Sequence, residues 1–258
     1  ERPTGSRDPF GLRRQAHGIF KILLDLPELT GLTVRPSCDD LLAAAALPFE
    51  SWKADANVKE AVSTFMLERL HYVLDQRGHD IRNVRAVIGA TGSGVKPLEA
   101  RGKLEVLPEF TESSDFKQLA MAFKRVRNIA CDLSDADYDK AERSQPDLKG
   151  LLTEDAERQL LAEVEARQPV IEDVIDVGDD YRRGFTEAAK FGPAVNRFFT
   201  EVFVMVDDPV IRVARLRLMK RLERLILQLA DISEIVVEVG EDDASHVTEG
   251  VGNVTRGE

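Results

Sequence analysis

Long apolar runs are what this 258-residue sequence most lacks. A helix that crosses a bilayer needs about 20 consecutive apolar residues, and no stretch approaches that length, so the sequence reads as not membrane-spanning. Cysteine is nearly absent: Cys38 and Cys131 lie far apart, outside any CxxC or Cys/His spacing, which argues against a disulfide framework or a zinc site. A reducing cytoplasm is the expected setting. The start, Glu1-Arg2-Pro3-Thr4-Gly5, has neither an initiator Met nor a signal-peptide core and reads as a fragment. Basic charge is in deficit too, 35 Lys and Arg against 46 Asp and Glu, for a formal net charge of −11. Affinity for phosphate comes from clustered cations, so that balance speaks against indiscriminate nucleic-acid binding, and any RNA surface must be local.

Catalytic signatures are missing as well. There is no Gly-rich phosphate loop, no Gly-x-Ser-x-Gly elbow and no Cys/His nucleophile arrangement. The pair His79-Asp80 invites a metal reading, but His17, His71 and His246 stand in no supporting spacing. Placed just after Gly78 at a helix end, the pair suits capping. Neither a catalytic residue nor a metal or cofactor ligand is expected within the chain.

What is present is helical periodicity. Phe10, Leu12, Ala16, Ile19, Phe20, Leu23 and Leu26 recur at helical spacing over 8–26, with Pro27 as the expected stop. Further helices are predicted over 58–76, 115–131 and 209–230, with a helix-loop-helix over 83–107. A charged helix is expected behind a Thr153 N-cap, and helical patterning resumes over 180–190. The polar stretch 132–151 reads as a loop or a short, poorly packed helix. Beyond Glu234 few large apolar side chains remain, and 236–258 is expected to be a disordered acidic tail. Strand candidates at 170–177 and 203–206 are short and flanked by helical pattern, so the expected fold is all-α.

The helix over 209–230 carries the most information. At 100° per residue, Ile211, Ala214, Leu218, Leu222, Leu225, Ile226 and Leu229 fall in one apolar arc. Opposite lie Arg217, Lys220, Arg221 and Arg224, with Glu223 the only acid in the segment. Such a strip suits an RNA backbone, since a guanidinium can grip phosphate through two parallel hydrogen bonds. An unplaced helix with such a strip is more often simply solvated, and charge alone does not separate the two. Arg127 and Arg215 fall inside apolar arcs. They are expected to be structural, bonded to carboxylates such as Asp207, Asp208 or Asp231 or to helix-end carbonyls, because a guanidinium facing a core needs partners.

Four ordered motifs carry a family resemblance. Pro3-Thr4-Gly5-Ser6 followed by Asp8-Pro9-Phe10-Gly11-Leu12-Arg13-Arg14-Gln15-Ala16 resembles the "PTGSKDPFALRRAA" stretch of bacterial glycyl-tRNA synthetase beta subunits. Lys124-Arg125-Val126-Arg127-Asn128-Ile129 is similar to that family's "KRVxNIL". The stretch from Phe198 to Asp208 resembles "FFDxVMVMxxD", and Arg212, Arg215-Leu216 and Asp231-Ile232-Ser233 match "RxNRL" and "ADFS". Asn196 departs from the usual Asp before the aromatic pair, and Ala214 from the Asn of "RxNRL".

The resemblance implies the end of a longer subunit: 1–50 as the end of an HD-like domain and linker, 51–235 as a helical bundle of the DALR anticodon-binding class. It implies tRNA-Gly as partner, with no DNA, and an alpha subunit in an α2β2 assembly. That alpha subunit would hold ATP, with Mg, at the active site that attaches glycine. The RNA-facing residues it implies are Lys124, Arg125, Asn128, Asn196, Phe199 and the strip Arg217, Lys220, Arg221 and Arg224, with Phe198 or Phe199 stacking an unpaired base. Two other readings remain open, an arginyl-type anticodon-binding domain and a helical scaffold that joins subunits without touching RNA.

Overall fold

The computed structural model describes residues 7–8, 10–49, 56–145 and 147–235. The expected tail at 236–258 lies outside the described residues, as do Pro3 to Ser6 of the first motif. Among the described residues the regular structure is α-helix with short 3-10 turns and no β-sheet.

Chain chemistry sets the helix ends. The first helix, α1 (Leu12–Thr30), begins where the Asp8 carboxylate accepts hydrogen bonds from the amides of Leu12 and Arg13, satisfying two donors that no helical carbonyl can reach. Pro27 does not stop it. A proline in the last turn forfeits one bond and is tolerated, and the terminator is Gly31, whose left-handed φ of 72° lets its amide return to the Pro27 carbonyl. Helix α2 (Cys38–Ala46) starts on a Ser37–Asp40 capping box. It is followed by α3 (Ala56–Asp75) and α4 (Ile81–Gly89), the latter capped by the Asp80 carboxylate accepting from the Arg82 amide. Thus the His79-Asp80 pair marks a helix start. Helix α5 (Pro97–Thr111) keeps Pro108 inside its last turns.

The C-terminal half holds α6 (Ser114–Ala130), α7 (Asp135–Ser144), α8 (Asp155–Val177), α9 (Tyr181–Ala189), α10 (Gly192–Glu201) and α11 (Pro209–Leu227). The β-branched run 170–177 is absorbed into α8, where packing overrides a weak strand preference.

Two sub-bundles share one core. In the first, α3 packs against α1, α2 and α4, and α5 lies between α1, α4 and α9. In the second, α11 packs chiefly against α6 and then α8, with α10 bridging α6 and α8. Residues without side chains permit the closest joins. A Cβ on Gly102 would stand 2.7 Å from the Tyr181 ring, so glycine is what allows α5 to meet α9 there. Just past α11, the Asp231 amide donates to the Ala86 carbonyl at 2.7 Å, stitching the end of the second sub-bundle to α4.

Candidate nucleic-acid interface

The apolar arc of α11 is core: Ala214, Leu218, Leu222, Leu225, Ile226 and Leu229 are buried, and only Ile211, in the first turn, is partly exposed. The opposite face is not the open cationic strip expected from the sequence. Arg217 is completely buried, donating from Nη2 to Glu142 at 2.8 Å and to the Gln145 carbonyl at 2.7 Å. Lys220 is buried between Asp135 (3.3 Å) and Glu223 (3.0 Å). Arg221 is half-buried, donating to the Gln168 side chain at 2.9 Å, and Arg224 donates to Asp139 at 2.6 Å and Asp135 at 2.8 Å.

The polar stretch 132–151, expected to be loose, contains α7, whose Asp135, Asp139 and Glu142 lie on the α11 cations. Tyr138 is the one buried residue of that helix, and the Arg224 guanidinium sits over its ring 4.4 Å from the centroid. Arg224, hydrogen-bonding to Asp135, holds that carboxyl below the usual carboxylate range. Periodicity marks a charged face but not what faces it, and here the counter-charge comes from an element some 80 residues earlier.

Arg215 faces the core as its arc predicts, whereas Arg127, expected to be buried, reaches the surface at the edge of its arc. Arg215 donates from Nε to Glu157, which is wholly buried, and from Nη1 to the Phe203 carbonyl at 2.6 Å. Glu157 also accepts from the amides of Thr153 (2.7 Å) and Glu154 (2.8 Å), so one carboxylate caps the start of α8 and neutralises the guanidinium. Periodicity gave no sign of Glu157, whose position on α8 reads as one more acid on a charged helix. Arg127 is partly exposed and bonds Asp231, with Glu223 3.7 Å from its Nε. Asp231 also accepts from the Ser233 hydroxyl at 2.6 Å, and through Arg127 it ties the turn after α11 to α6.

Lys124, Arg125 and Asn128 share the exposed face of α6, and Asn196 is exposed on the neighbouring α10. The Arg125 guanidinium lies over the Phe199 ring, 4.2 Å from its centroid, so the structure brings these two together across the α6–α10 join. Phe198 is fully buried and closed off from any ligand; its ring meets the half-buried Phe199 ring edge-on at 5.5 Å. Exposed cations and amides and the half-buried Phe199 ring therefore converge on the α6–α10 face, whereas Arg217 and Lys220 of α11 face inward.

Among the described residues no group of three or more His, Cys, Asp and Glu side chains is placed to hold a metal ion, and no helix is long and apolar enough to cross a membrane. Cys38 is buried, which pushes its thiol up to about 12, and Cys131 is exposed.

The helical bundle with this face belongs to a known class, since residues 119–237 match the DALR anticodon binding domain. Residues 1–89 match the family described as glycyl-tRNA synthetase beta subunit. The chain is 34% identical over 233 residues to the glycine–tRNA ligase beta subunit of Ralstonia nicotianae, covering 90% of this chain and 31% of that protein. It is 37% identical over 249 residues to that of Acidobacterium capsulatum, covering 91% and 32%. The chain belongs to the glycyl-tRNA synthetase beta subunit family and matches its C-terminal region, spanning about a third of the length of the curated relatives it matches.

Proposed function

We propose that this region is the anticodon-side tRNA-binding part of a glycyl-tRNA synthetase beta subunit. Its task is to hold tRNA-Gly while a partner alpha subunit, using ATP with Mg, attaches glycine. The observation that carries the reading is the α6–α10 face within the DALR-matching segment. Arg125 and Lys124 supply cations for the RNA backbone, Asn128 and Asn196 supply amide donors and acceptors, and Phe199 offers an aromatic edge. Of the α11 cations, Arg221 and Arg224 retain partial exposure, while Arg217 and Lys220 hold α7 and α11 together. In this reading α2β2 assembly brings the gripping and reacting parts together, and the setting is the cytoplasm.

We assign 1–50 to the end of an HD-like domain and its linker, and 51–235 to the anticodon-binding domain. Helix α1 buries Phe20 and Leu24 against α3 and α5, and Ile19, Ile22 and Leu29 stand exposed on its outward side, where the rest of such a domain would pack. A helix apolar on both sides is one meant to be covered on both.

The test uses the intact protein with its partner subunit and measures affinity for tRNA-Gly across a salt series. Arg125→Glu is expected to weaken binding and lower the salt slope by about one. Unchanged affinity and slope would remove the α6–α10 face from the interface. A tRNA-Gly with a replaced anticodon should bind more weakly, and equal binding would end the anticodon-reading claim.

A further inference from the structure

The connection between α10 and α11 presents one side chain in a way that its own sequence does not demand. Residues 202–208 leave the helix and alternate in burial: Val202 and Val204 face the core, Phe203 and Met205 face out. Phe203 is 72% exposed, higher than any other large apolar side chain among the described residues. A phenyl ring left in water forgoes the stabilisation that burial would supply, and here folding does not recover it.

Beneath that ring the backbone is held from below. Arg215 Nη1 donates to the carbonyl of Phe203 itself, at 2.6 Å, while its Nε is fixed on Glu157 and Glu157 on the first amides of α8. Arg215 is 5% exposed and Glu157 not at all. A buried ion pair is a poor source of stability, because desolvation offsets most of its attraction and well-packed apolar side chains serve as well. What this one adds is direction, pinning the peptide that aims Phe203 outward.

Nearby charges select what can meet the ring. The Glu201 carboxylate is engaged by Arg197 at 2.8 Å, Asp208 accepts from the amides of Val210 and Ile211, and Asp207 is exposed. Arg197 offsets Glu201 and the Arg212 guanidinium lies by the Val206 carbonyl, so the loop carries no surplus of cations to draw in a phosphate. An unpaired base is different: it lays a π-face on an aromatic ring and can offer an amino group to a carboxylate.

We propose that Phe203 is a stacking platform for one unpaired base of the bound RNA, with Arg215 and Glu157 as its positioning residues. The proposal rests on the tRNA-binding reading above and deepens it: the α6–α10 face takes backbone, and the 202–208 loop takes a base. Affinity for a tRNA-Gly transcript is measured with the intact protein and its partner subunit, for wild type, Phe203→Ala, Phe203→Trp and Arg125→Glu. The same transcript carrying 2-aminopurine at successive anticodon-loop positions reports stacking by fluorescence quenching. Phe203→Ala should weaken binding by about tenfold with an unchanged salt slope and abolish quenching at one position, and Phe203→Trp should retain both. If Arg125→Glu weakens binding while Phe203→Ala binds and quenches like wild type, the platform is overturned and the tRNA reading stands. If wild type ignores both the anticodon and Arg125→Glu, the tRNA reading itself has failed. A Phe203→Ala protein that binds tRNA normally but no longer co-sediments with its partner subunit would place a protein, not a base, against the ring and overturn the proposal.

Discussion

Charged side chains inside this bundle were half legible in the sequence. That Arg127 and Arg215 interrupt apolar arcs could be seen from spacing alone, but which groups answer them depends on where distant helices come to rest, and Glu157 lies 58 residues before Arg215. Arg215→Met is expected to destabilise the protein by about 3–5 kcal/mol, because Glu157 would then be a buried charge without a cation. Arg215→Met combined with Glu157→Leu should recover most of that loss in urea denaturation. A single variant as stable as wild type would show that the pair is dispensable. Lys103 behaves differently. Its ammonium donates to the Gln228 carbonyl at 2.6 Å, and burial pulls its pKa down to about 8, partly countered by Glu99. Since an unfolded lysine titrates near 10.4, between about pH 8 and that value the unfolded chain holds a proton that the folded one has released, and Lys103 becomes less costly as pH rises. Wild type should therefore gain about 2–3 kcal/mol on Lys103→Met between pH 7.5 and pH 10. A pH-independent difference would show that the ammonium keeps its proton.

Elements were easier to find than their surroundings. The helices expected over 58–76, 115–131 and 209–230 appear within a few residues, because their apolar spacing is long and unambiguous. Helix α7 is faintly marked in the sequence for the opposite reason. With Tyr138 as its one buried residue it has almost no apolar signal, and it is fastened by ion pairs whose Asp135 and Asp139 ends are largely exposed. Such pairs contribute little each and are screened by salt. Amide hydrogen exchange in 135–144 should accelerate between low and high salt while the middle of α11 stays protected. Acid should act the same way. Asp135 is held below its ordinary value, so its contribution is present at neutral pH and is lost as pH falls through the carboxylate range and below. Protection in α7 that is indifferent to salt and acid would mean that packing, not charge, retains the helix.

For the whole molecule, exposure is lopsided. Phe10, Ile19, Ile22, Leu29, Leu32, Val34, Leu47 and Phe49 are all exposed within the first fifth of the chain. In the 258-residue chain alone, Ile22→Glu with Leu29→Glu is expected to leave the melting temperature unchanged or raise solubility. In the intact protein the same pair should lower the melting temperature if, as proposed, the rest of the HD-like domain packs on the outward side of α1. Equal behaviour in both settings would refute the second apolar face as an interface.

Composition and periodicity determined the helical class and much of the membership of the core, since those depend on local spacing and on which side chains leave water, and the family came from the resemblance of the ordered motifs. Only the tertiary structure decided the fate of the charges. It turned Arg217 and Lys220 inward under α7, stacked Arg125 on Phe199 and aimed Phe203 at solvent, because a charge or a ring is assigned its role by what stands opposite it, and that neighbour is far away in sequence.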